Sequence, residues 1–296
     1  MEDIGALLSR GFSLWMKNLN LCLPFLLSII LSMLLLMSFL MSILMILLPQ
    51  DSLEALAFED AQNATLMQSQ MEDLLSSLDA GQLAVAFLFF LGIMLSISLV
   101  DAFFSAAAIG MARQALETGR ADTAAMWSFG RKHLKSMFLA TLLIGLITFA
   151  GLVFVLPAMA AAPNPLQAYE ETAGLLAVGL LLFLFYALAV SIILIAAPYA
   201  LVVGDLGPIA AVRAALSFFR YNKFDVAVLW LVVTALSTAL QMLGGATFEG
   251  MDGQHLSLLA SLANLIVLAP LSCLWWTRLY MNRTGMLTVD EVKDTW

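Results

Sequence analysis

Charge is what this chain has least of. Charged residues occupy 11% of its 296 positions against 62% hydrophobic ones, and the mean hydropathy is +0.97. A soluble domain carries about 25% charged residues, so composition alone excludes an ordinary water-soluble fold. Cysteine is equally scarce. Cys22 and Cys273 fall near the expected cytoplasmic ends of apolar runs, where the compartment is reducing, so they read as small buried fillers and not as a disulfide. The two histidines, His133 and His255, are expected on opposite sides of the membrane, which excludes a joint metal site. No phosphate-binding Gly-Lys loop, HExxH helix or Gly-x-Ser-x-Gly elbow occurs. No apolar run carries paired carboxylates, and an intramembrane hydrolase needs cooperating polar groups at one depth. The expectation is a protein that is not an enzyme and holds no cofactor or metal.

Lys and Arg are also missing from half the surface. Removing the apolar runs leaves seven polar segments. Arg10 and Lys17 lie in the first, Arg113 to Lys135 in the third, Arg213 to Lys223 in the fifth, and Arg278 to Lys293 in the seventh. The second, fourth and sixth have none. This is the positive-inside pattern of a multi-pass membrane protein. It predicts cytoplasmic amino and carboxyl termini in a cell membrane. The segments without Lys or Arg hold 11 of the 21 acidic residues, so the net charge of −8 belongs mainly to the outer face. Nucleic-acid binding has no support, because the cations hug the apolar runs and form no solvent-facing patch.

About 20 apolar residues cross a bilayer as a helix. Six runs qualify: 19–48, 83–111, 136–162, 174–203, 224–243 and 255–276. The first reads as an uncleaved span, since it opens on Met1-Glu2-Asp3 and is too long for a signal peptide. The predicted fold is therefore all-α, a transmembrane bundle of six helices forming a single domain over 1–296, with the lipid bilayer as its principal partner. Trp15, Trp127, Trp275 and Trp276 are expected as headgroup anchors. Pro198 and Pro270 should kink their helices.

Three cytoplasmic stretches look alike: 10–18, 125–133 and 215–223. Each is amphipathic and leads into a span, as an interfacial helix does. The repeating unit would be an interfacial helix followed by a helical hairpin, three times over. Gly110-Met-Ala-Arg-Gln-Ala-Leu-Glu-Thr-Gly-Arg120 with 124–135, and 198–217 from Pro198-Tyr-Ala-Leu-Val-Val-Gly-Asp-Leu-Gly-Pro onward, resemble a diffuse pattern in a loose group of prokaryotic six-span proteins. That group includes the membrane domain attached to some bacterial glycerophosphodiester phosphodiesterases, and stand-alone proteins of unknown function. The resemblance implies a six-helix membrane domain and no activity, because in that group the chemistry belongs to a separate soluble domain.

The acidic outer loop over 49–82 is too long for a simple connection. Ala64, Met67, Met71, Leu74 and Leu78 recur at helical spacing, which predicts an amphipathic helix. It would cap the bundle, or dock a protein partner, as the cytoplasmic interfacial helices also could. Polar residues within the spans are the candidate functional positions, since each needs a partner in lipid. Asp101 shares a face with Ser98 and Ser105 and lies about 28 Å along its helix from Gln82, at the inner boundary. It is expected to reach the interface or cap an interfacial helix. Asp205 is expected to start the third interfacial helix. Thr234, Thr238 and Gln241 share one face of the fifth span, and Ser257, Ser261 and Asn264 one face of the sixth. An antiparallel register pairs Gln241 with Ser257, Thr238 with Ser261 and Thr234 with Asn264, predicting interhelical hydrogen bonds worth about 0.6 kcal/mol each. Two functions fit these features. One is a non-enzymatic scaffold or lipid- and partner-engaging bundle. The other is a small transporter or channel for an apolar or lipidic cargo.

Overall fold

The structure, a computed structural model, describes residues 2–47, 80–161, 169–245 and 253–287. The helix expected over 64–78 lies outside the described residues. Ten α-helices are described: α1 Ile4–Lys17, α2 Leu23–Leu47, α3 Ala80–Thr118, α4 Thr123–Phe149, α5 Leu156–Ala161, α6 Tyr169–Leu194, α7 Ala197–Val203, α8 Pro208–Gly245, α9 Gly253–Ala263 and α10 Ala269–Arg283. No strand occurs among them.

Six helical stretches are long and apolar enough to cross a membrane: Leu19–Ile43, Ala84–Thr118, Thr123–Phe154, Ala173–Val203, Pro208–Gly245 and Leu256–Arg283. Between 6% and 22% of the most apolar window of each is buried within the protein. Leu34, Leu146 and Leu184 are among the many large side chains left exposed. A soluble monomer does not expose contiguous apolar surface on that scale. Lipid must be the solvent, and helices satisfy every backbone group without water.

The prolines break their helices where expected. The fourth span is interrupted at Ile195–Ala196, between α6 and α7, just before Pro198. The sixth opens into a π-turn at Asn264–Leu268 before Pro270. Pro270 cannot donate to the carbonyl of Ile266, four residues back. The Cys22 thiol donates to that carbonyl instead, at 2.9 Å.

The chain forms two compact units. The first comprises residues Leu27–Asp101. In it, Phe39 stacks on Phe89 at 6.4 Å between ring centroids, and the Ser28 hydroxyl donates to Asp101 Oδ1 at 3.0 Å.

The second unit, Met1–Leu26 with Ala102–Trp296, contains an internal repeat with a strict register. Asp3 and Asp122 cap α1 and α4, accepting from the backbone N–H of Gly5 and Ala124. The Gly207 carbonyl accepts from Ala211 at the start of α8, as the Asp3 carbonyl accepts from Leu7. Four, eight and eleven residues after these starts stand buried side chains or glycines: Leu7, Gly11 and Leu14; Met126, Gly130 and His133; Ala211, Ala215 and Phe218. Each repeat ends on a left-handed residue, Gly119 (φ 76°), Asp205 (φ 52°) or Gly285 (φ 73°). Four, eight and eleven residues before these ends stand Ala115, Met111 and Ala108; Leu201, Ala197 and Leu194; and Met281, Thr277 and Leu274, all buried. Similar composition would give similar windows but no common register. The look-alike windows 10–18 and 125–133 are in fact four residues out of step, because residue 10 corresponds to 129 and 214. Interfacial Trp, Phe and Lys suit any chain entering a membrane; the register follows the small and buried positions.

The repeats interlock in a cycle within this unit. Gly11 of α1 lies against the Trp275 indole of α10, and a Cβ there would overlap that ring. Gly130 of α4 lies against Phe103 of α3, whose ring tip is 2.7 Å from where a Cβ would be. α8, which begins with the third opening helix, packs on α7. Each opening helix therefore rests on the closing helix of another repeat, and the first rests on the last. Opening helix and span meet at a break in two repeats, at Asn18 (φ −132°) and within α8 at Asn222 (φ −124°). Both asparagine amides donate to the carbonyl four residues back, Leu14 and Phe218.

Several expected roles change. Trp275 and Trp276 are buried, not headgroup anchors, and the Trp275 indole N–H donates to the Leu8 carbonyl at 3.1 Å. Trp15 is buried as well, while Trp127 is 48% exposed. Asp205 ends the second repeat and does not start the third. Its carboxylate pairs with Lys132 Nζ at 2.7 Å, and that hydrogen bond holds its pKa below the ordinary value. Asp101 is exposed, accepts from Ser28 and caps no interfacial helix among the described residues.

Candidate functional site

The polar faces of the fifth and sixth spans do not meet as the sequence register suggests. α8 and α9 do pack against each other. Their close approach is at Gly244, where a Cβ would lie 2.7 Å from Ala260 Cβ and 3.3 Å from Ser257 Cα. The seam follows small residues, because these let two backbones approach within dispersion range. Thr238, Gln241, Ser257 and Ser261 are left exposed, and Asn264 is half-buried in the π-turn. Gln241 donates to Ser237 on its own helix at 3.4 Å. No hydrogen bond joins the two polar faces among the described residues.

Thr234, of that group, reaches a cavity. It lines a cleft of about 470 Å³ in the second unit, bounded by α4, α6, α7, α8 and α10. The break before Pro198 helps to build it: Leu194, Ile195, Pro198 and Tyr199 form one wall. Pro198 has no N–H to offer the Leu194 carbonyl. Trp230 and Val233 join Thr234 from α8, Ser272 and Trp276 come from α10, and Ile144 and Ser191 complete the lining. No lining residue is charged. Tyr199 and Trp276 pack ring to ring at 6.5 Å. The Ser191 hydroxyl donates to Leu188 in its own helix. The hydroxyls of Thr234 and Ser272 and the indole N–H of Trp276 make no hydrogen bond among the described residues, although Trp276 is only 3% exposed.

Sequence reasoning found Thr234 and Pro198 but missed Tyr199, Trp230, Ser191 and Ser272. The signal was present in a different coordinate. Ser191, Thr234 and Ser272 lie 12 to 14 residues from a helix end or break, at Asp205, Asn222 and Gly285. That is about 18–21 Å at 1.5 Å per residue. Counting from these ends aligns them; looking for polar stripes along one helix does not.

A second cleft, of about 400 Å³ in the Leu27–Asp101 unit, is lined by Ser38, Phe39, Ser42, Phe89 and Ser96 among others. The hydroxyls of Ser38, Ser42 and Ser96 all donate to carbonyls of their own helices, so none has a free proton to give a ligand. No group of three His, Cys, Asp or Glu side chains able to hold a metal ion occurs among the described residues.

The chain is similar to an uncharacterised protein of Archaeoglobus fulgidus, 27% identical over 104 residues, which cover 34% of this chain and 35% of that protein. The match thus spans about a third of the relative's length. No family model and no solved structure matches.

Proposed function

We propose that this chain is a non-enzymatic integral protein of the cell membrane that engages lipid through the cleft beside Pro198, with its amino and carboxyl termini in the cytoplasm. The observation that carries this reading is an uncharged cleft walled by five helices, in a protein whose six spans have apolar outer surfaces. Water would gain little from a lining of Leu194, Ile195, Val233, Trp230 and Trp276, whereas a lipid chain fills it at no desolvation cost. The interlocked cytoplasmic ends supply a rigid base for the cleft walls. Exposed Phe12, Met16, Tyr221 and Phe224 beside Arg10, Arg220 and Lys223 suit a headgroup layer, or a protein partner at that face. The likeness of 110–120 and 198–217 to the membrane domain attached to some glycerophosphodiester phosphodiesterases supports a membrane domain without chemistry of its own.

Native mass spectrometry of the purified protein tests the reading. Retained lipid adducts are expected, and Ser272→Phe, which fills the cleft, should strip them. An unchanged adduct pattern in that variant would refute lipid engagement at this cleft. The rival reading, transport of an apolar or lipidic cargo, requires flux between leaflets in reconstituted vesicles, which the proposal does not expect. Orientation has its own check. Single cysteines replacing Lys132 and Glu170 in a chain lacking Cys22 and Cys273 should label from opposite sides of sealed cells, Glu170→Cys from outside. Labelling of both from one side overturns the topology.

A further inference from the structure

The cleft has a layered lining, and the layers define what it holds. Tyr199, Trp230 and Trp276 lie six to nine residues from their cytoplasmic ends or breaks at Asp205, Asn222 and Gly285, about 9–14 Å in. Ser191, Thr234 and Ser272 lie deeper, about 18–21 Å in, toward the middle of a hydrocarbon core about 30 Å thick. Hydroxyls from three separate helices thus converge at one depth in one cavity. Two of them, with the indole N–H of buried Trp276, are without partners among the described residues. An unpaired polar group in lipid is costly, so these groups are offered to an occupant. No Lys, Arg or His lines the cleft to neutralise a phosphate, and a bare anion at that depth is excluded by its desolvation cost.

We propose that the cleft is a binding site for an uncharged lipid whose polar end carries hydrogen-bonding oxygens, as in a diacylglycerol or a prenylated quinone, and that it rejects lipids with a phosphate headgroup. This rests on the lipid engagement proposed above and adds its class. The aromatic layer packs on the ligand's body or flat ring. The hydroxyl layer meets its ester, carbonyl or hydroxyl oxygens. Discrimination comes from the side chains that are absent as much as from those present: a phosphate would lose its water and gain no cation.

The test uses the full-length chain in phosphatidylcholine nanodiscs with photoactivatable diacylglycerol or photoactivatable phosphatidate. The two probes share identical tails and differ by one phosphate; a photoactivatable quinone forms a third arm. Diacylglycerol should label peptides containing 191–199, 230–234 and 272–276 at least fivefold more than phosphatidate at equal mole fraction. Thr234→Phe, at an exposed position where the fold has room, should abolish that labelling while leaving labelling elsewhere unchanged. Ser191→Leu is the second filling variant, used if Thr234→Phe alters gel-filtration behaviour. Preferential labelling by the quinone over diacylglycerol supports the proposal and selects the ring-bearing member. Equal labelling by phosphatidate overturns the lipid class but leaves lipid engagement standing. Absence of cleft labelling by all three probes overturns both.

Discussion

Glu2→Ala is expected to destabilise the folded protein by about 3–5 kcal/mol, the cost of leaving a buried charge without its partner. Arg278 is 1% exposed, and its Nε and Nη2 donate to the two oxygens of Glu2 at 2.9 Å each. Arg10 donates to the same carboxylate, also at 2.9 Å. The surrounding bonds bind the same two chain ends. The Glu2 N–H donates to Asn282 Oδ1. Arg283 donates to the Glu2 carbonyl and pairs with Asp225 at 2.7 Å. Deleting the carboxylate leaves a guanidinium enclosed by α1 and α10 with no route to water. Unfolding in mixed SDS and detergent micelles measures the loss. Arg278→Met in the Glu2→Ala background should recover most of it, because replacing both members of a buried pair by apolar groups is close to neutral. A Glu2→Ala protein within about 0.5 kcal/mol of the parent, the ordinary range of surface substitutions, would show that the pair does not hold the ends together.

Gly110→Val carries the second large expected effect, at least about 1–3 kcal/mol of overpacking. A Cβ on Gly110 would overlap Phe129 at both its Cγ and its Cβ. The Phe129 Cβ is fixed to the α4 backbone, so no rotamer change clears it and α3 and α4 must part. At Gly11 and Gly130 a Cβ meets only ring atoms of Trp275 and Phe103, which have more freedom to give. Gly110→Ala should therefore cost more than Gly130→Ala, and Phe129→Gly, which removes the clashing Cβ as well as the ring, should recover part of the loss in the double variant. Gly145, with nothing within 4 Å of its Cβ position, is the control: Gly145→Ala should be neutral or gain up to about 1 kcal/mol of helix propensity. The same micelle unfolding assay ranks all five variants. If Gly110→Ala matches Gly145→Ala, the tight α3–α4 contact is not present.

What could be read along the chain and what could not divide by the range of the physics. Both prolines interrupted their helices because a missing N–H acts four residues away. The repeat was visible as composition but out of register, by four residues in the second copy and one in the third, since the residues that set the register, Gly11, Gly130 and Ala215, are small and unremarkable in sequence. The face of Thr234, Thr238 and Gln241 was a true polar stripe, yet Gly244 against Ala260 decided which face met the neighbouring helix. Arg278 shows the same limit. As the cation closing an apolar run it reads as an anchor to water, and only its position opposite Glu2, 276 residues earlier, makes it a buried partner.

The linear chain determined by itself that this is an all-helical protein with six segments fit for lipid, because transfer from water to hydrocarbon is summed over neighbouring residues and needs no knowledge of the partner helix. Tertiary structure alone decided which small residues let helices touch, which charges were paired away from water, and which three hydroxyls came to line one cleft. Those outcomes depend on distances between residues far apart in the chain, and close packing, not hydrophobicity, selects among them.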